Sequence, residues 1–271
     1  MNKDNNHILN GKAEAEKMLL DLKKNIAKLK TKPTLAVILV GHDPASKVYV
    51  GIKEKRAKEL GVNFVKYHLP ASVGEKEVIN LIHELNSNKK ITGILLQLPL
   101  PKKNNTHKVI SAIAIKKDVD GLNSSKLISP TIQSILRLIK LSKQKLINKK
   151  AVILCHSQEF AESLKKELLQ HKTNVDILLK HDFKTLNSSF LNRYSIIVIA
   201  LGQKHFLKPE MIKKDAVIID VGINRFDKKI FGDVDPRCFK KTRYISPVPG
   251  GVGPLTVAYL FKNLLKLKNP S

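Results

Sequence analysis

The stretch that decides the fold is residues 34–40, which read TLAVILV. A continuous apolar run of this length is typical of a strand buried on both faces, as in a parallel sheet. Apolar residues at helical spacing predict a helix before it, at residues 11–29, and another after it, at residues 45–60. The alternation continues with a short strand, a helix and a buried strand at residues 63–67, 75–85 and 93–97. Strands alternating with helices predict an α/β fold built on a parallel sheet.

A second α/β block begins near Lys150. Its predicted elements are a strand at 151–154, a helix at 159–169 and further strands at 175–179, 196–200 and 216–220. This order resembles one mononucleotide-binding half of a Rossmann-like fold. We therefore expect two α/β domains with a catalytic cleft between them, the second a Rossmann-like parallel sheet. Residues 1–125 with 250–271 are predicted to form the first domain, and residues 126–249 the second.

Composition limits the cellular context. Hydrophobic residues make up 42% of the 271, but there is no run of 18 apolar residues and the first six residues are polar. No membrane contact and no export signal are expected. Cys155 and Cys238 form no metal-ligand pattern, so we expect no metal site and interpret both as reduced thiols of a cytoplasmic protein.

The net charge of +26, from 49 Lys and Arg against 23 Asp and Glu, raises the question of nucleic-acid binding. The basic residues are mostly lysines spread along the whole chain, which also contains many Ile and Asn residues. All three residue types have AT-rich codons, so a genome bias explains the charge without a partner. Trp is absent and aromatic residues are 5%, which disfavours base stacking. Nucleic acid is thus an unlikely partner, although the field would attract anionic ligands.

Three polar side chains share one face of the predicted helix that follows the first strand. Tyr49 and Lys53 are four residues apart, and Ser46 lies three residues before Tyr49. In parallel sheets, ligand sites form beyond the carboxyl ends of the strands, where this helix begins. A solvated lysine beside a half-buried tyrosine would show the same spacing, so the spacing alone leaves both interpretations open.

Two other segments place polar groups at predicted strand ends or turns. The strand at 93–97 ends in Gln97 and is followed by Leu98 and Pro99, where the proline forbids its continuation. Asp118 and Asp120 stand two residues apart before Gly121 and could bind a cation or a polar heterocycle, although a metal needs more oxygen ligands than are seen here. An ordinary loop amide and a plain turn are the alternatives.

The fourth segment is a glycine-rich loop near the end of the chain. Residues 249–256 read PGGVGPLT and lead directly into an apolar-periodic helix, predicted from residue 255 to about 265. Backbone N–H groups at such a helix start can hold a polar ligand. A simple connection between strand and helix would also explain a Gly-Gly pair.

Together these segments closely resemble the bifunctional methylenetetrahydrofolate dehydrogenase/methenyltetrahydrofolate cyclohydrolase family. The matching segments span the chain in the family's order: residues 40–41 (VG), 49–50 (YV), Lys53, 97–101 (QLPLP), 118–121 (DVDG), 220–224 (DVGIN), 232–235 (GDVD) and 249–254 (PGGVGP). The resemblance implies that 5,10-methylene-tetrahydrofolate is oxidised with NADP or NAD and that the methenyl product is hydrolysed to 10-formyl-tetrahydrofolate.

The resemblance also assigns roles to residues. Lys53 corresponds to the catalytic lysine, which polarises the substrate and assists proton movement, and Gln97 to its hydrogen-bonding neighbour. Tyr49 would position the pterin, and Asp120 would hold the amino and ring N–H groups of the pterin. The remaining implied substrate contacts are Ser46, Leu98, Pro99, Pro249, Gly250, Gly251 and Thr256.

The implied cofactor contacts include the main departures from the family. The implied set is Cys155, His156, Ser157, Gly202, Gly222 and Ile223. His156 replaces the arginine expected at the 2′-phosphate of NADP, and Ala161 replaces a glycine. Glu159 and Glu162 place negative charge in the first turn of the helix, where it would repel a pyrophosphate.

A second departure follows Gly121, where the chain is about ten residues shorter than the family pattern. The best match to the family's next motif is residues 130–134 (PTIQS). From these departures comes the hypothesis that folate recognition persists while NADP binding is weakened or lost. The alternatives are a cyclohydrolase without dinucleotide binding and a catalytically silent folate- or partner-binding homologue. The resemblance further implies a homodimer.

Overall fold

The computed structural model describes residues 7–123, 127–185, 189–227 and 229–269. The chain divides into two compact units. The first unit contains Glu16–Pro130 and Val257–Ser271, and the second contains Met1–Ala15 and Thr131–Thr256. The prediction of an α/β fold with parallel sheets is confirmed, because each unit is built on a parallel sheet with helices in the connections.

The first unit carries a three-stranded sheet. In chain order, the elements up to residue 111 are α1 (Gly11–Ala27), β1 (Thr34–Val40), α2 (Pro44–Leu60), β2 (Asn63–Leu69), α3 (Glu75–Ser87), β3 (Gly93–Gln97) and α4 (Thr106–Ser111). The strand order is β2-β1-β3, and both pairings are parallel. The middle strand is β1, and its residues 35–38 have no exposed surface, as the apolar run predicted. Leu39 pairs with His68 on one side and with Gln97 on the other, so the three strands end at one edge.

The second unit carries a five-stranded parallel sheet in the order β10-β7-β6-β4-β5. The elements from residue 130 onward are α5 (Pro130–Leu141), β4 (Lys150–Cys155), α6 (Gln158–Leu169), β5 (Asn174–Leu179), β6 (Ile196–Ala200), β7 (Val217–Asp220), β8 (Asn224–Phe226), β9 (Lys229–Phe231), β10 (Tyr244–Ile245) and α7 (Val252–Lys268). The chain runs from β4 to β5 on one side and then returns to β6 on the other. This reversal creates a topological switch point at the carboxyl end of β4, where doubly wound folds bind ligands.

The compact units and the predicted domains divide the chain differently at three places, one of which is residues 127–130, predicted in the second domain but part of the first unit. Residues before Glu16 belong to the second unit, because the Leu9 N–H donates to the Ile245 carbonyl and the Lys12 N–H to the Gly250 carbonyl, each at 2.8 Å. The glycine-rich loop at 249–256 also belongs to the second unit. The division into functional domains, 1–125 with 250–271 and 126–249, stays a prediction.

The structure explains why two positions of the loop at 249–256 are occupied by glycine. Gly250 has φ +113°, a conformation that L side chains rarely adopt. Gly251 packs directly on the first residue of α1, and a Cβ added to Gly11 would lie 1.9 Å from the Gly251 carbonyl oxygen. The close approach of the two backbones therefore depends on Gly11 lacking a side chain, whereas a Cβ added to Gly251 would lie 2.6 Å from the Pro247 carbonyl oxygen.

None of the helices within the described residues combines the length and the apolar character that crossing a membrane requires.

The backbone contact at Gly11 predicts a stability difference between two glycines. We expect Gly11→Ala to lower the free energy of unfolding by about 1–3 kcal/mol, because the new methyl group meets backbone that cannot turn aside. Gly51→Ala, in exposed α2 surface with nothing within 4 Å of the added Cβ, should raise it by about 0.5–1 kcal/mol through helix propensity. Urea unfolding followed by circular dichroism measures both. A Gly11→Ala protein as stable as the unaltered chain would contradict the described contact.

Candidate active site

The start of α2 places three of the predicted residues at the carboxyl edge of the first sheet. Asp43 follows β1 closely, and its carboxylate accepts the Ser46 N–H at 2.7 Å, which caps the helix. Pro44 supplies a φ suited to the first helical position. Tyr49 and Lys53 follow on the same helix face and are both half-buried.

Lys53 is bonded to the last residue of β3. Its Nζ donates to Gln97 Oε1 at 2.9 Å. Gln97 Nε2 donates to the Leu98 carbonyl at 2.7 Å, which orients the amide so that its oxygen faces the lysine. Ser46 Oγ donates to the same Leu98 carbonyl at 3.4 Å, and the Leu98–Pro99 peptide bond is cis. The structure therefore brings Ser46, Lys53, Gln97 and the Leu98 backbone into one hydrogen-bonded group.

Asp120 is electrostatically coupled to Lys53. Burial lowers the pKa of Lys53, while the negative charge of Asp120 opposes this shift. Burial raises the pKa of Asp120 to about 6; the Lys53 ammonium lowers it and the charge of Asp118 raises it further. Both groups are thereby moved toward neutral pH from their ordinary values. Perturbed pairs of this kind are typical of sites that transfer protons.

Asp118 is unsuited to bind a cation as it stands. Its two oxygens accept the backbone N–H groups of Asp120, Gly121 and Asn123 at 3.1, 3.0 and 2.8 Å. Among the described residues there is no cluster of three or more His, Cys, Asp or Glu side chains able to hold a metal ion.

The glycine-rich loop carries the other predicted substrate contacts within the second unit. The Val248–Pro249 peptide bond is cis, and Gly250 and Gly251 form the turn before α7. Thr256 Oγ1 donates to the Val252 carbonyl at 3.1 Å within the helix, and Ser134 Oγ lies 3.5 Å from it. The substrate contacts assigned to Pro249, Gly250, Gly251 and Thr256 stay predictions.

The predicted dinucleotide residues surround the switch point of the second sheet. Cys155, at the end of β4, pairs with Ala200, at the end of β6. Ser157 caps α6 by accepting the Phe160 N–H at 3.2 Å. His156 is hydrogen bonded through Nε2 to the Leu201 carbonyl. His156, Ser157, Gly202 and Ile223 are exposed, whereas Gly222 is buried.

Negative charge does gather at the start of α6, as the sequence suggested. Ser157 Oγ donates to Glu159 Oε2 at 2.8 Å, and Gln158 Nε2 donates to Glu162 Oε1 at 3.0 Å. Both carboxylates are exposed and lie in the first turn or beside it. They favour the helix dipole but oppose an incoming phosphate.

The two cysteines are buried, and each thiol is hydrogen bonded to a backbone carbonyl. Cys155 Sγ donates to the Ser157 carbonyl at 3.3 Å, and burial raises the pKa of this thiol. Any contact between Cys155 and a cofactor would therefore involve its backbone. Cys238 Sγ donates to the Leu207 carbonyl at 3.3 Å, and burial raises the pKa of Cys238 to about 12.

Two buried aspartates that sequence reasoning did not assign hold the loops after β6 and β7. Asp233 Oδ2 accepts the Leu201 and Gly202 N–H groups at 2.6 and 3.0 Å, and its Oδ1 accepts the Gln203 N–H at 2.7 Å. Its Oδ1 also accepts from Asn224 Nδ2 at 2.9 Å. The sequence signal for Asp233 is its position in the segment 232–235, one of the segments that resemble the family.

Asp220 plays the same part at the end of β7. Its carboxylate accepts the N–H groups of Gly222, Asp233 and Val234 at 3.0–3.1 Å. Burial raises the pKa of Asp220 to about 7, although these three donors oppose the shift. The two carboxylates thus fix the backbone at Gly202 and Gly222, two of the predicted cofactor contacts.

The backbone at the switch point fits a dinucleotide, while the charge at α6 does not favour one. Gly202 has φ +60° and is exposed, and a Cβ added there would meet nothing within 4 Å, so a ligand can approach its backbone. The strands β4, β6 and β7 are neighbours and parallel, so the loops that follow them begin side by side, as in doubly wound folds. The departures from the family pattern at this place are His156, Glu159, Ala161 and Glu162.

Family models match both halves of the chain. Residues 9–120 match the family model "Tetrahydrofolate dehydrogenase/cyclohydrolase, catalytic domain". Residues 129–270 match "Tetrahydrofolate dehydrogenase/cyclohydrolase, NAD(P)-binding domain".

Individual relatives match over nearly the whole chain. The bifunctional protein FolD of Campylobacter hominis is 40% identical over 275 residues, covering 96% of each chain. The crystal structure of the bifunctional FolD enzyme of Campylobacter jejuni superposes with a TM-score of 0.90 and 35% identity, covering 97% of this chain and 99% of that one. The structure of the Trypanosoma brucei enzyme, solved with NADP and an inhibitor, superposes with a TM-score of 0.87 and 27% identity, covering 96% of each chain.

The chain therefore belongs to the tetrahydrofolate dehydrogenase/cyclohydrolase family, and its second part matches the family's NAD(P)-binding domain.

The role of Asp233 leads to a prediction about local stability. In Asp233→Asn the side chain keeps one accepting oxygen instead of two, so N–H groups of the loop at 201–203 lose a hydrogen-bond acceptor. We expect hydrogen exchange of the Leu201, Gly202 and Gln203 amides to quicken by about 100-fold, and the free energy of unfolding to fall by about 2–4 kcal/mol. Hydrogen exchange followed by mass spectrometry or NMR measures the first effect.

The matched control is Asp235→Asn, two residues away. Asp235 accepts from the backbone and the exposed guanidinium of Arg237, so exchange at 201–203 should not change. Equal exchange rates in Asp233→Asn and the unaltered chain would show that the loop is held by other contacts.

Proposed function

We propose that this chain oxidises 5,10-methylene-tetrahydrofolate with NADP and hydrolyses the resulting methenyl compound to 10-formyl-tetrahydrofolate. The observation that carries the proposal is the hydrogen bond between Lys53 and Gln97, with Asp120 electrostatically coupled to the lysine, in the part that matches the family's catalytic domain. Membership of the family supports both activities.

For hydrolysis, the group at Lys53 supplies proton transfer. Water must lose one proton as its oxygen bonds to the methenyl carbon, and its second proton leaves to solvent as the resulting hydroxyl becomes the formyl carbonyl. A ring nitrogen must gain one proton as its bond to that carbon breaks. A lysine whose pKa is lowered by burial can accept the first proton as a neutral amine and return it as an ammonium. The Gln97 oxygen holds an N–H of the same nitrogen, which keeps the nitrogen in place in both protonation states.

Asp120 would bind the donor-rich edge of the pterin. A carboxylate pairs well with neighbouring N–H donors, as in other charge-assisted hydrogen bonds. Tyr49 lies on the same helix face as Lys53, and its half-buried ring is suited to pack against a flat ligand. These assignments rest on the resemblance and on the grouping of the side chains.

For oxidation, residues of the second unit would hold the dinucleotide. An oxidised nicotinamide accepts a hydride when it is bound. The loops after β6 and β7, fixed by Asp233 and Asp220, present the Gly202 backbone and the exposed Ile223 side chain. The start of α6 would face the phosphates, and its carboxylates predict an affinity for NADP below that of relatives with an arginine at this point.

The homodimer implied by the resemblance remains part of the proposal, as do the cytoplasmic location expected from composition and the expectation that no nucleic acid is bound. Light scattering after gel filtration tests whether the protein is a homodimer. Retention on DNA that fell steeply with added salt would argue for nucleic-acid binding.

Two spectrophotometric assays test the proposed activities. One follows hydrolysis of 5,10-methenyl-tetrahydrofolate, and the other follows its formation from 5,10-methylene-tetrahydrofolate with NADP or NAD. Activity in both supports the proposal, and activity in neither overturns it. Hydrolysis alone would identify a cyclohydrolase, an alternative that the acidic start of α6 specifically favours.

The pKa of Asp120 predicts how the rate of hydrolysis falls on the acidic side of its pH profile, called the acidic limb here. Because the bound pterin needs the carboxylate form, kcat/KM should rise as the pH passes through about 6, whereas an ordinary aspartate would titrate near 3.8. Asp120→Asn should lower kcat/KM by about 10- to 100-fold and remove this limb after the uncatalysed rate is subtracted. Asp21→Asn, on exposed α1 surface, is the control. A limb near pH 6 that persists in Asp120→Asn belongs to another group.

The charges at α6 predict a gain in affinity on their removal. The double variant Glu159→Gln with Glu162→Gln should bind NADP about 5- to 30-fold more tightly, because two like-charge contacts are removed. Calorimetry measures the dissociation constant without turnover. Glu167→Gln, further along the same helix, should change it by less than about twofold. Equal affinities of the double variant and the control would refute repulsion as the cause.

A further inference from the structure

The peptide unit that joins Val119 to Asp120 is bonded on both sides by buried side chains. The Asp120 N–H donates to Asp118 Oδ1 at 3.1 Å. The Val119 carbonyl accepts from Asn263 Nδ2 at 2.9 Å. Asp118 is 1% exposed and Asn263 is not exposed at all. Because one side chain takes the N–H and another takes the carbonyl, the peptide plane cannot rotate without breaking a buried hydrogen bond.

Asn263 also holds the far end of the loop that begins at Asp120. The same Nδ2 donates to the Ile128 carbonyl at 3.1 Å, so the two hydrogens of one amide serve carbonyls on both sides of the loop. The ends lie in close contact: a Cβ added to Gly121, where φ is +62°, would be 2.3 Å from the Leu127 carbonyl oxygen. This is the place where the chain is shorter than the family pattern.

Neighbouring contacts anchor the same segment to the first sheet. Asp118 forms a parallel bridge with Ile94 of β3. The buried Lys117 Nζ donates to the Leu85 and Asn88 carbonyls at the end of α3, each at 2.7 Å. The backbone before Asp120 is therefore fixed to the strand that carries Gln97, the partner of Lys53.

We propose that Asn263 is a positioning residue for Asp120: by binding the carbonyls of Val119 and Ile128 it fixes the Asp120 carboxylate relative to Lys53. The proposal rests on the role in pterin binding proposed for Asp120. An asparagine that only satisfied buried carbonyls would influence folding alone. An asparagine that acts through Asp120 also changes the affinity for the substrate, since a small displacement of a binding group weakens its charge-assisted hydrogen bonds.

The test compares the kinetics of methenyl-tetrahydrofolate hydrolysis in four single variants and one double variant of the full chain. Asn263→Leu keeps the volume and removes the donors. Asp118→Asn disturbs the same peptide from its N–H side, and Asp120→Asn sets the reference. Leu260→Ala, a buried α7 residue, is the control because it weakens packing in the helix but keeps the amide.

We expect KM to rise about 10-fold or more in Asn263→Leu and in Asp118→Asn, as in Asp120→Asn. KM should stay within about twofold in Leu260→Ala, whose defect lowers only the folded fraction. Adding Asn263→Leu to Asp120→Asn should raise KM no further, because the two residues act through one contact.

Three results would overturn the inference: an unchanged KM in folded Asn263→Leu, an equal rise in Leu260→Ala, or additive effects in the double variant. If circular dichroism shows that Asn263→Leu does not fold, Asp118→Asn decides, and an unchanged KM there also overturns it. An unchanged KM in Asp120→Asn instead refutes the role proposed for Asp120 itself.

Discussion

Three buried carboxylates accept the backbone N–H groups of the loops at the two sheet edges, and the arrangement of both sites depends on them. Parallel strands end at one edge, and the loops beyond that edge carry amide groups without strand partners. Asp118, Asp220 and Asp233 each accept three such groups in the described structure. Leaving those donors unpaired away from water would cost about 1–3 kcal/mol each, so these loops have one favoured conformation.

The two sites use this support differently. In the first unit, Asp118 fixes the backbone of another carboxylate, Asp120, for which a role in pterin binding is proposed. In the second unit, Asp233 and Asp220 fix the backbone at Gly202 and Gly222, two of the predicted cofactor contacts. The first arrangement positions a side chain and the second positions peptide groups.

Local patterns predicted the elements and the shared helix face of Tyr49 and Lys53 well, because their determinants lie close together in sequence. The run at 34–40 predicted β1, and the spacing of Tyr49 and Lys53 predicted their shared helix face. The bond from Lys53 to Gln97 joins residues 44 positions apart, and only the resemblance predicted it. Asn263 gave no signal, since it meets Val119 from 144 positions away. The placement of residues 7–15 in the second compact unit likewise has no local signal, because two backbone hydrogen bonds to residues 245 and 250 decide it.

The state of the two cysteines has a consequence for how the protein responds to oxidants. Thiolates, not thiols, attack disulfides and peroxides. Burial raises the pKa of both thiols, that of Cys238 to about 12, so very little thiolate exists near neutral pH. The chain contains no other cysteine. Neither thiol therefore makes the protein sensitive to disulfide exchange or to peroxides, and a cysteine introduced on its surface would be the single site open to a thiol-reactive label.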